Sequence, residues 1–271
     1  MLSVVILTLN EEKNLCGCLA SVQGCDDIVV LDSGSTDRTQ EIAESSGARF
    51  FSHPFENFGA QRNHAQSKIS FRHPWVIHLD ADEQMTPELW KECQEVTNRN
   101  IPEIDGYWIA PKMIFEGRWI PRCTDYPAYQ ARLVRVPNFR FIQVGHGQRE
   151  APEMCLAPLT QNYLHDLSSE GEASWLEKHR RYASEEAAQH QTEKSTPPFK
   201  NLFSSDRLKR RRVLKQLSYQ LPFRPEFRFF YQYILRGGFT HGDADFRYCL
   251  LLRRYEQFVN EALRKPPTLS E

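Results

Sequence analysis

Short, predominantly apolar runs alternate with amphipathic stretches along the first hundred residues. Residues 4–7, 28–31, 48–51 and 75–79 have the length and composition of strands buried on both faces. Between the first two, Leu15, Cys18, Leu19 and Val22 recur at i, i+3, i+4 and i+7, which places them on one face of a helix. Asn10 reads as the cap of that helix, with Glu11 and Glu12 where the helix dipole favours acids. Thr36-Asp37 predicts the start of a second helix carrying Ile42 and Ala43, and Thr86-Pro87-Glu88 the start of a third, with proline at a tolerated first position. Such alternation predicts an α/β fold, a Rossmann-like, mainly parallel sheet flanked by helices.

The pattern changes further on. From about 106 to 165 it is irregular, with Trp108, Trp119, Tyr126 and Tyr129 set among arginines, and suits some antiparallel strand. Trp175, Leu176, His179, Tyr182, Ala183, Glu186 and Ala187 then trace one helix face, which ends before the linker-like Ser195-Thr196-Pro197-Pro198. A boundary near Asp166 divides a first domain, 1–165, from a helical, basic and aromatic C-terminal region, 166–271.

Composition narrows the classes. A formal net charge of -1 over 271 residues provides no global field for nucleic acid. Seven cysteines, odd in number and without paired metal-finger spacing, argue against a disulfide framework or structural zinc and fit a reducing cytoplasm. The N-terminus has no cationic stretch ahead of its short apolar run, and no run is long enough to span a bilayer, so the expectation is a cytoplasmic protein, soluble or peripheral on the inner face of the membrane. One local exception is the cationic block from Arg207 to Lys215, followed by Phe223, Phe227, Phe229, Phe230, Tyr231 and Tyr233 with Arg224 and Arg228. Basic and aromatic residues together suit the headgroup zone of an anionic membrane. A cationic face beside a local core, or a nucleic-acid patch, would use the same residues.

In an open α/β sheet, ligands bind beyond the carboxyl ends of the strands, where loops 8–12, 32–37 and 80–83 should converge. All three are rich in side-chain oxygens. Asp80-Ala81-Asp82-Glu83 closes the run 75–79, and two carboxylates at i and i+2 on a strand share a face. Such a pair can seat Mg²⁺ or Mn²⁺ carrying a diphosphate, because these ions prefer carboxylate, water and phosphate oxygens. Asp-x-Asp is also common in solvated turns, and polar strand-end loops also arise from simple capping.

The ordered segments Ser3-Val4-Val5-Ile6-Leu7-Thr8-Leu9-Asn10-Glu11-Glu12, Val29-Val30-Leu31-Asp32-Ser33-Gly34-Ser35-Thr36-Asp37, Gly59-Ala60-Gln61-Arg62-Asn63 and Leu79-Asp80-Ala81-Asp82-Glu83 together resemble glycosyltransferase family 2. The chain is similar within it to the bacterial branch of lipopolysaccharide-core glucosyltransferases, through Tyr129-Gln130-Ala131-Arg132-Leu133-Val134-Arg135 and the downstream histidine segment. The resemblance covers residues 1 to about 190. It implies a GT-A fold, a nucleotide-sugar donor with UDP favoured, Mn²⁺ or Mg²⁺, inversion at the anomeric carbon, and a glycan or glycolipid acceptor of the cell envelope.

By that resemblance Asp32 meets a nucleobase edge, while Thr8, Asn10 and Glu11 line base and ribose beside Gly34; Leu9 stands where many relatives have tyrosine. Arg62 is held toward the diphosphate by the helix beginning near Gly59, as a guanidinium matches phosphate bidentately. Asp80 approaches the ribose or a metal-bound water, and Asp82 ligates the metal. Arg132 and Arg135 either add a second cation or are solvated strand charges. Many relatives carry Val-His-Glu where this chain reads Val144-Gly145-His146-Gly147-Gln148-Arg149-Glu150. Glu150 is the candidate base for the acceptor hydroxyl, with Asp125 and His146 as rivals. His165 is either a further metal or diphosphate contact or a satisfied buried histidine. Transfer to a polyprenyl phosphate, or nucleotide-sugar binding without catalysis, are the alternative functions.

Overall fold

The apolar runs form one half of a nine-stranded sheet. The computed structural model describes residues 1–144, 147–169, 171–192, 203–204, 207–219 and 221–264. Four strands, β1 (Ser3–Thr8), β2 (Ile28–Asp32), β3 (Arg49–Ser52) and β4 (Trp75–Asp80), pair in parallel in the order β3-β2-β1-β4. Both faces of this half are covered, which is why its sequence does not alternate. Val4, Ile6, Ile77 and Leu79 pack against Leu15 and Cys18 of α1 (Leu15–Ser21), and Leu89 and Cys93 of α4 (Pro87–Arg99). The opposite residues, Val5, Leu7, Val29, Leu31 and Val76, meet Ala65 of α3 (Phe58–Lys68). Each large aliphatic side chain so buried contributes about 1.5–3 kcal/mol.

Helix starts follow the capping chemistry, with one correction. Thr86 accepts the Leu89 N–H and Pro87 occupies the first turn, and Asp37 accepts the N–H and hydroxyl of Thr39 at the start of α2 (Thr39–Ser45). Asn10 does not cap α1, however. Its φ is 57°, and its side-chain oxygen accepts the N–H of Thr36 across the β1–β2 loops instead.

Strand β8 (Gln130–Arg135) enters antiparallel between β4 and β6 (Gly106–Phe115), the latter also pairing with β7 (Arg118–Trp119). On the far side of β6 runs β11 (Leu156–Asp166), in parallel, and the two-residue strand β5 (Glu83–Gln84) pairs with its end, His165 opposite Glu83. Strands β9 (Phe141–Val144) and β10 (Gly147–Glu150) form a separate two-stranded hairpin.

These elements belong to one compact unit, residues 1–121 and 125–169, and a second unit holds 122–124 and the chain from 170 onward. In the second, α5 (Glu172–Thr192) packs on α8 (Asp243–Leu263) around Ala183, Phe258 and Val259, and Glu186 accepts the hydroxyls of Tyr219 and Tyr255. Helices α6 (Arg207–Ser218) and α7 (Arg224–Phe230) lie between them in sequence. The side chains at 207–209, 211 and 212, most of the cationic block, lie outside the described residues.

At the opposite end of the parallel strands, buried Asp27 gathers the Ser3 hydroxyl, the Arg72 N–H at 2.7 Å and the Arg49 guanidinium at 2.7 Å. Burial works against its charge, yet these donors hold its carboxyl below the usual range. Because the folded value is depressed, the stabilisation is complete above the unfolded value of about 4 and is lost as pH falls through the folded one. Asp27→Asn should therefore cost about 1–3 kcal/mol in urea unfolding at neutral pH, with the difference from wild type shrinking as the pH is lowered from about 4.

Candidate functional site

The first two strand-end loops are knitted into one surface. Asp32, 2% exposed, accepts the Thr8 hydroxyl at 2.7 Å, the N–H groups of Gly34 and Ser35 at 2.8 and 2.7 Å, and the Ser35 hydroxyl. Gly34 supplies the φ of 100° that turns its N–H back onto that carboxylate. Across the seam, Asn10 N–H donates to the Ser35 hydroxyl at 2.7 Å, and Glu11 N–H to the Thr39 hydroxyl at 2.8 Å. Thr8, Asn10, Glu11, Asp32 and Gly34 are thus brought together as expected from the sequence. Asp32 spends much of its lone-pair capacity on its own loop, while Leu9 and Asn10 are exposed at the rim.

The third loop is built on buried charge. Asp80 ends β4 with its side chain 30% exposed, and each of its oxygens receives a guanidinium, Arg62 at 2.7 Å and Arg132 at 3.1 Å. Arg132, on β8, also reaches Glu83 at 2.5 Å, and the other Glu83 oxygen accepts the Asp80 N–H at 2.9 Å. Burial works against the Asp80 charge, but the two arginines hold its carboxyl far below the usual range. Burial pushes the Glu83 carboxyl up to about 7, against the pull of Arg132.

Arg62, expected to face the diphosphate, is wholly buried. Its contact toward the crevice runs through Asp80. Arg132, 2% exposed, is likewise not a surface cation. Arg135 stands opposite Trp75, at the start of β4, because β8 runs antiparallel to it. There its guanidinium lies 4.6 Å from the Trp75 ring and donates to the Ile101 and Ile104 carbonyls, a strand length from Asp80.

Asp82 is comparably exposed, at 26%, but among the described residues its ion pair is with His165, Nε2 at 3.3 Å, and not with an arginine. Burial disfavours the imidazolium, but Asp82 and then Glu83 raise it to about 9. The buried His165 Nδ1 has no hydrogen-bond partner. One carboxylate and one imidazole fit Mn²⁺, and the carboxylate also fits Mg²⁺. No group of three His, Cys, Asp or Glu side chains among the described residues could hold an ion unaided. Such an ion would have to complete its shell with water and phosphate oxygens.

Helix α3 joins these parts through consecutive side chains. Asn57 caps it by accepting the Ala60 N–H at 2.8 Å. A Cβ on Gly59 would lie 3.1 Å from the Gln143 nitrogen, so glycine lets the β9–β10 hairpin approach. Gln61 donates to the Ser33 hydroxyl, Arg62 holds Asp80, and Asn63 exchanges two hydrogen bonds with the backbone of Phe141 at 2.8 and 2.9 Å. Sequence reading passed over Gln61, Asn63 and Glu83 as site-building residues. The only signal was their adjacency to residues already singled out.

Among the candidate bases, Glu150 is half-buried at the end of β10, opposite Phe141. Asp125 is exposed in the segment before β8, and His146 lies outside the described residues. The pairing of Phe141 with Asn63 thereby anchors the strand across from Glu150.

Two variants test this framework. Arg132→Met removes the cation shared by Asp80 and Glu83 and should cost about 3–5 kcal/mol in urea unfolding. Asn63→Ala should leave global unfolding nearly unchanged while amide exchange in the β9–β10 hairpin rises about tenfold, the equivalent of about 1.4 kcal/mol of local stability.

Comparison with known proteins bears on the same residues. The Glycosyl transferase family 2 profile matches residues 3–139, from β1 through the Asp80–Glu83 loop and β8. The lipopolysaccharide core biosynthesis glycosyltransferase LpsC of Rhizobium meliloti is 33% identical over 132 residues, 43% of this chain and 48% of that protein. The uncharacterized glycosyltransferase RP128 of Rickettsia prowazekii is 31% identical over 123 residues, 45% of this chain and 41% of its own. The chain thus spans less than half the length of these relatives. Among solved structures, Staphylococcus aureus TarS 1-349 in complex with UDP-GlcNAc is similar over 97% of this chain and 89% of that one, at 16% identity and a TM-score of 0.46. Glucosyl-3-phosphoglycerate synthase from Mycobacterium tuberculosis, in complex with Mg²⁺ and UDP, is similar over 43% of this chain and 44% of that one, at 26% identity and a TM-score of 0.34. With its profile matched across half of its length, over the GT-A sheet and the strand-end loops, the chain belongs to glycosyltransferase family 2.

Proposed function

We propose that this chain transfers a sugar from a nucleotide-sugar donor, a UDP-sugar first, to a glycan of the cell envelope such as lipopolysaccharide core, with inversion at the anomeric carbon. The observation that carries the reading is the division of labour at the end of β4: Asp80 is locked ionised between two buried arginines, while Asp82, partly exposed, pairs with His165 and no arginine. The family supports the reaction class, and the similarity to LpsC supports the acceptor class.

In this reading residues 1–165 form the catalytic domain. Thr8, Asn10, Glu11, Asp32 and Gly34 receive base and ribose. Asp82 would hold Mn²⁺ or Mg²⁺, with His165 a further ligand for Mn²⁺, and Arg62 and Arg132 act at one remove by fixing Asp80. A bound divalent ion would offset the charge that builds on the departing nucleoside diphosphate. The acceptor oxygen attacks the anomeric carbon, Glu150 takes the proton of that hydroxyl, and the bond to the diphosphate oxygen breaks with its electron pair. A single displacement inverts the centre. No described helix is long and apolar enough to cross a membrane, and a lipid-linked acceptor would be met at the membrane surface.

Calorimetric titration of UDP, GDP, ADP and CMP, with Mn²⁺ or with chelator, is the test. One nucleotide should bind in a metal-dependent manner, and Asp82→Ala should weaken it by about a hundredfold. Glu150→Gln should retain donor binding and lower turnover by about 10²–10⁴-fold; unchanged turnover would remove Glu150 as the base. Donor binding by the wild type without transfer to any envelope acceptor would favour a nucleotide-sugar-binding protein.

A further inference from the structure

In the second unit, α7 continues without a break into a π-helical turn, Tyr231–Leu235. Its inner side is satisfied. Phe229 and Tyr233 meet Phe246 of α8 edge-on with ring centroids 5.9 and 5.3 Å away, and buried Gln232 donates to the Cys123 carbonyl. The outer side carries Phe223, Phe227, Phe230, Tyr231, Ile234 and Leu235, all exposed, from 41% at Ile234 to 75% at Phe223. Their spacing of four, three and four residues makes one continuous stripe. A helix apolar on both sides is stable only when both are covered, and none of the described residues covers the second.

We propose that this outer face docks on an anionic lipid bilayer, lying in the plane of the headgroups. The choice of occupant rests on charge and side-chain type. Residues 207–264 hold 13 Lys or Arg against 5 Asp or Glu, in a chain whose formal net charge is -1. The apolar stripe thus belongs to the cationic segment of the sequence, and attraction to anionic headgroups requires such charge. Phenylalanine and tyrosine fill most of the stripe, and aromatic rings favour the boundary between headgroups and acyl chains. No described helix is long and apolar enough to cross the bilayer, so the contact is peripheral. The inference deepens the envelope-glycan reading, on which the choice of a membrane-borne acceptor rests. Docking would bring the enzyme to its acceptor without extracting a lipid.

The test is co-sedimentation of the full chain with phosphatidylcholine vesicles, with and without about one third phosphatidylglycerol. Wild type should sediment with the anionic vesicles and be released by added salt. The triple variant Phe227→Ser, Phe230→Ser, Leu235→Ser alters only exposed positions, so it should keep the wild-type circular dichroism while its partition coefficient falls by about tenfold or more. Undiminished sedimentation of this variant would overturn the proposal, as would wild type remaining in the supernatant with both vesicle types. A wild-type dimer in sedimentation velocity that the triple variant dissociates, without vesicle binding, would assign the face to a second copy and also overturn it. Nucleotide titration separates this proposal from the donor-site reading: the triple variant should bind nucleotide as wild type does, and Asp82→Ala should bind vesicles as wild type does.

Discussion

A carboxylate held between two buried guanidiniums is the constraint around which the first unit is organised. Ionised groups are costly to bury unless each is paired, and Asp80, Arg62, Arg132 and Glu83 are tolerated only as a set. The set draws on four elements. Arg62 comes from α3, Asp80 from the end of β4, Arg132 from β8 and Glu83 from β5. Their mutual neutralisation fixes how the parallel half of the sheet meets the antiparallel half, at the strand end where a diphosphate would lie. Asp82, two residues along and outside the set, inherits a fixed backbone while its carboxylate stays clear of both arginines.

Helix α3 extends that rigidity outward. Gln61, Arg62 and Asn63 face three directions around the helix and reach the β2 loop, the β4 loop and the β9–β10 hairpin in turn. A helix surrounded in this way needs polar side chains on every face. This explains why the segment lacks an apolar stripe although several of its residues are buried. Gly59 completes the arrangement by omission, since a side chain there would meet the hairpin backbone.

What the sequence disclosed follows the distance over which each feature is determined. The parallel strands are legible because residues 4–7, 28–31 and 75–79 bury both faces and need no partner information beyond hydrophobicity. Asp80 and Asp82 are legible because a strand end and a two-residue spacing are local facts. Arg62 and Arg132 are conspicuous residues, but their burial depends on β8 inserting antiparallel beside β4, a pairing more than fifty residues apart in sequence. Arg135 illustrates the same limit, since three residues along an antiparallel strand carry it to the wrong end for a phosphate contact. Asn10 fails differently. Its residue type suits a cap, but in the left-handed conformation it bonds across to Thr36, and the helix begins only at Leu15. In the C-terminal region the aromatic content was plain, yet which side of α7 faces outward depends on the phase set by Phe229 and Tyr233 against Phe246.

The β9–β10 hairpin forms its own two-stranded sheet and shares no ladder with the nine strands beside it. Its attachment combines Asn63 bonding to backbone atoms and the absence of a side chain at Gly59 with two side chains of the hairpin itself, the Phe141 ring buried with Ala131, Val134 and Phe139, and Gln143 accepting the Gly59 N–H. Ile142 and Val144, by contrast, are exposed. A lineage could therefore exchange these two without disturbing the register or charge balance of the sheet beside them, but not Phe141, nor Glu150 if it takes the acceptor proton. Such a hairpin is divided into positions free to diversify and positions that must be inherited intact.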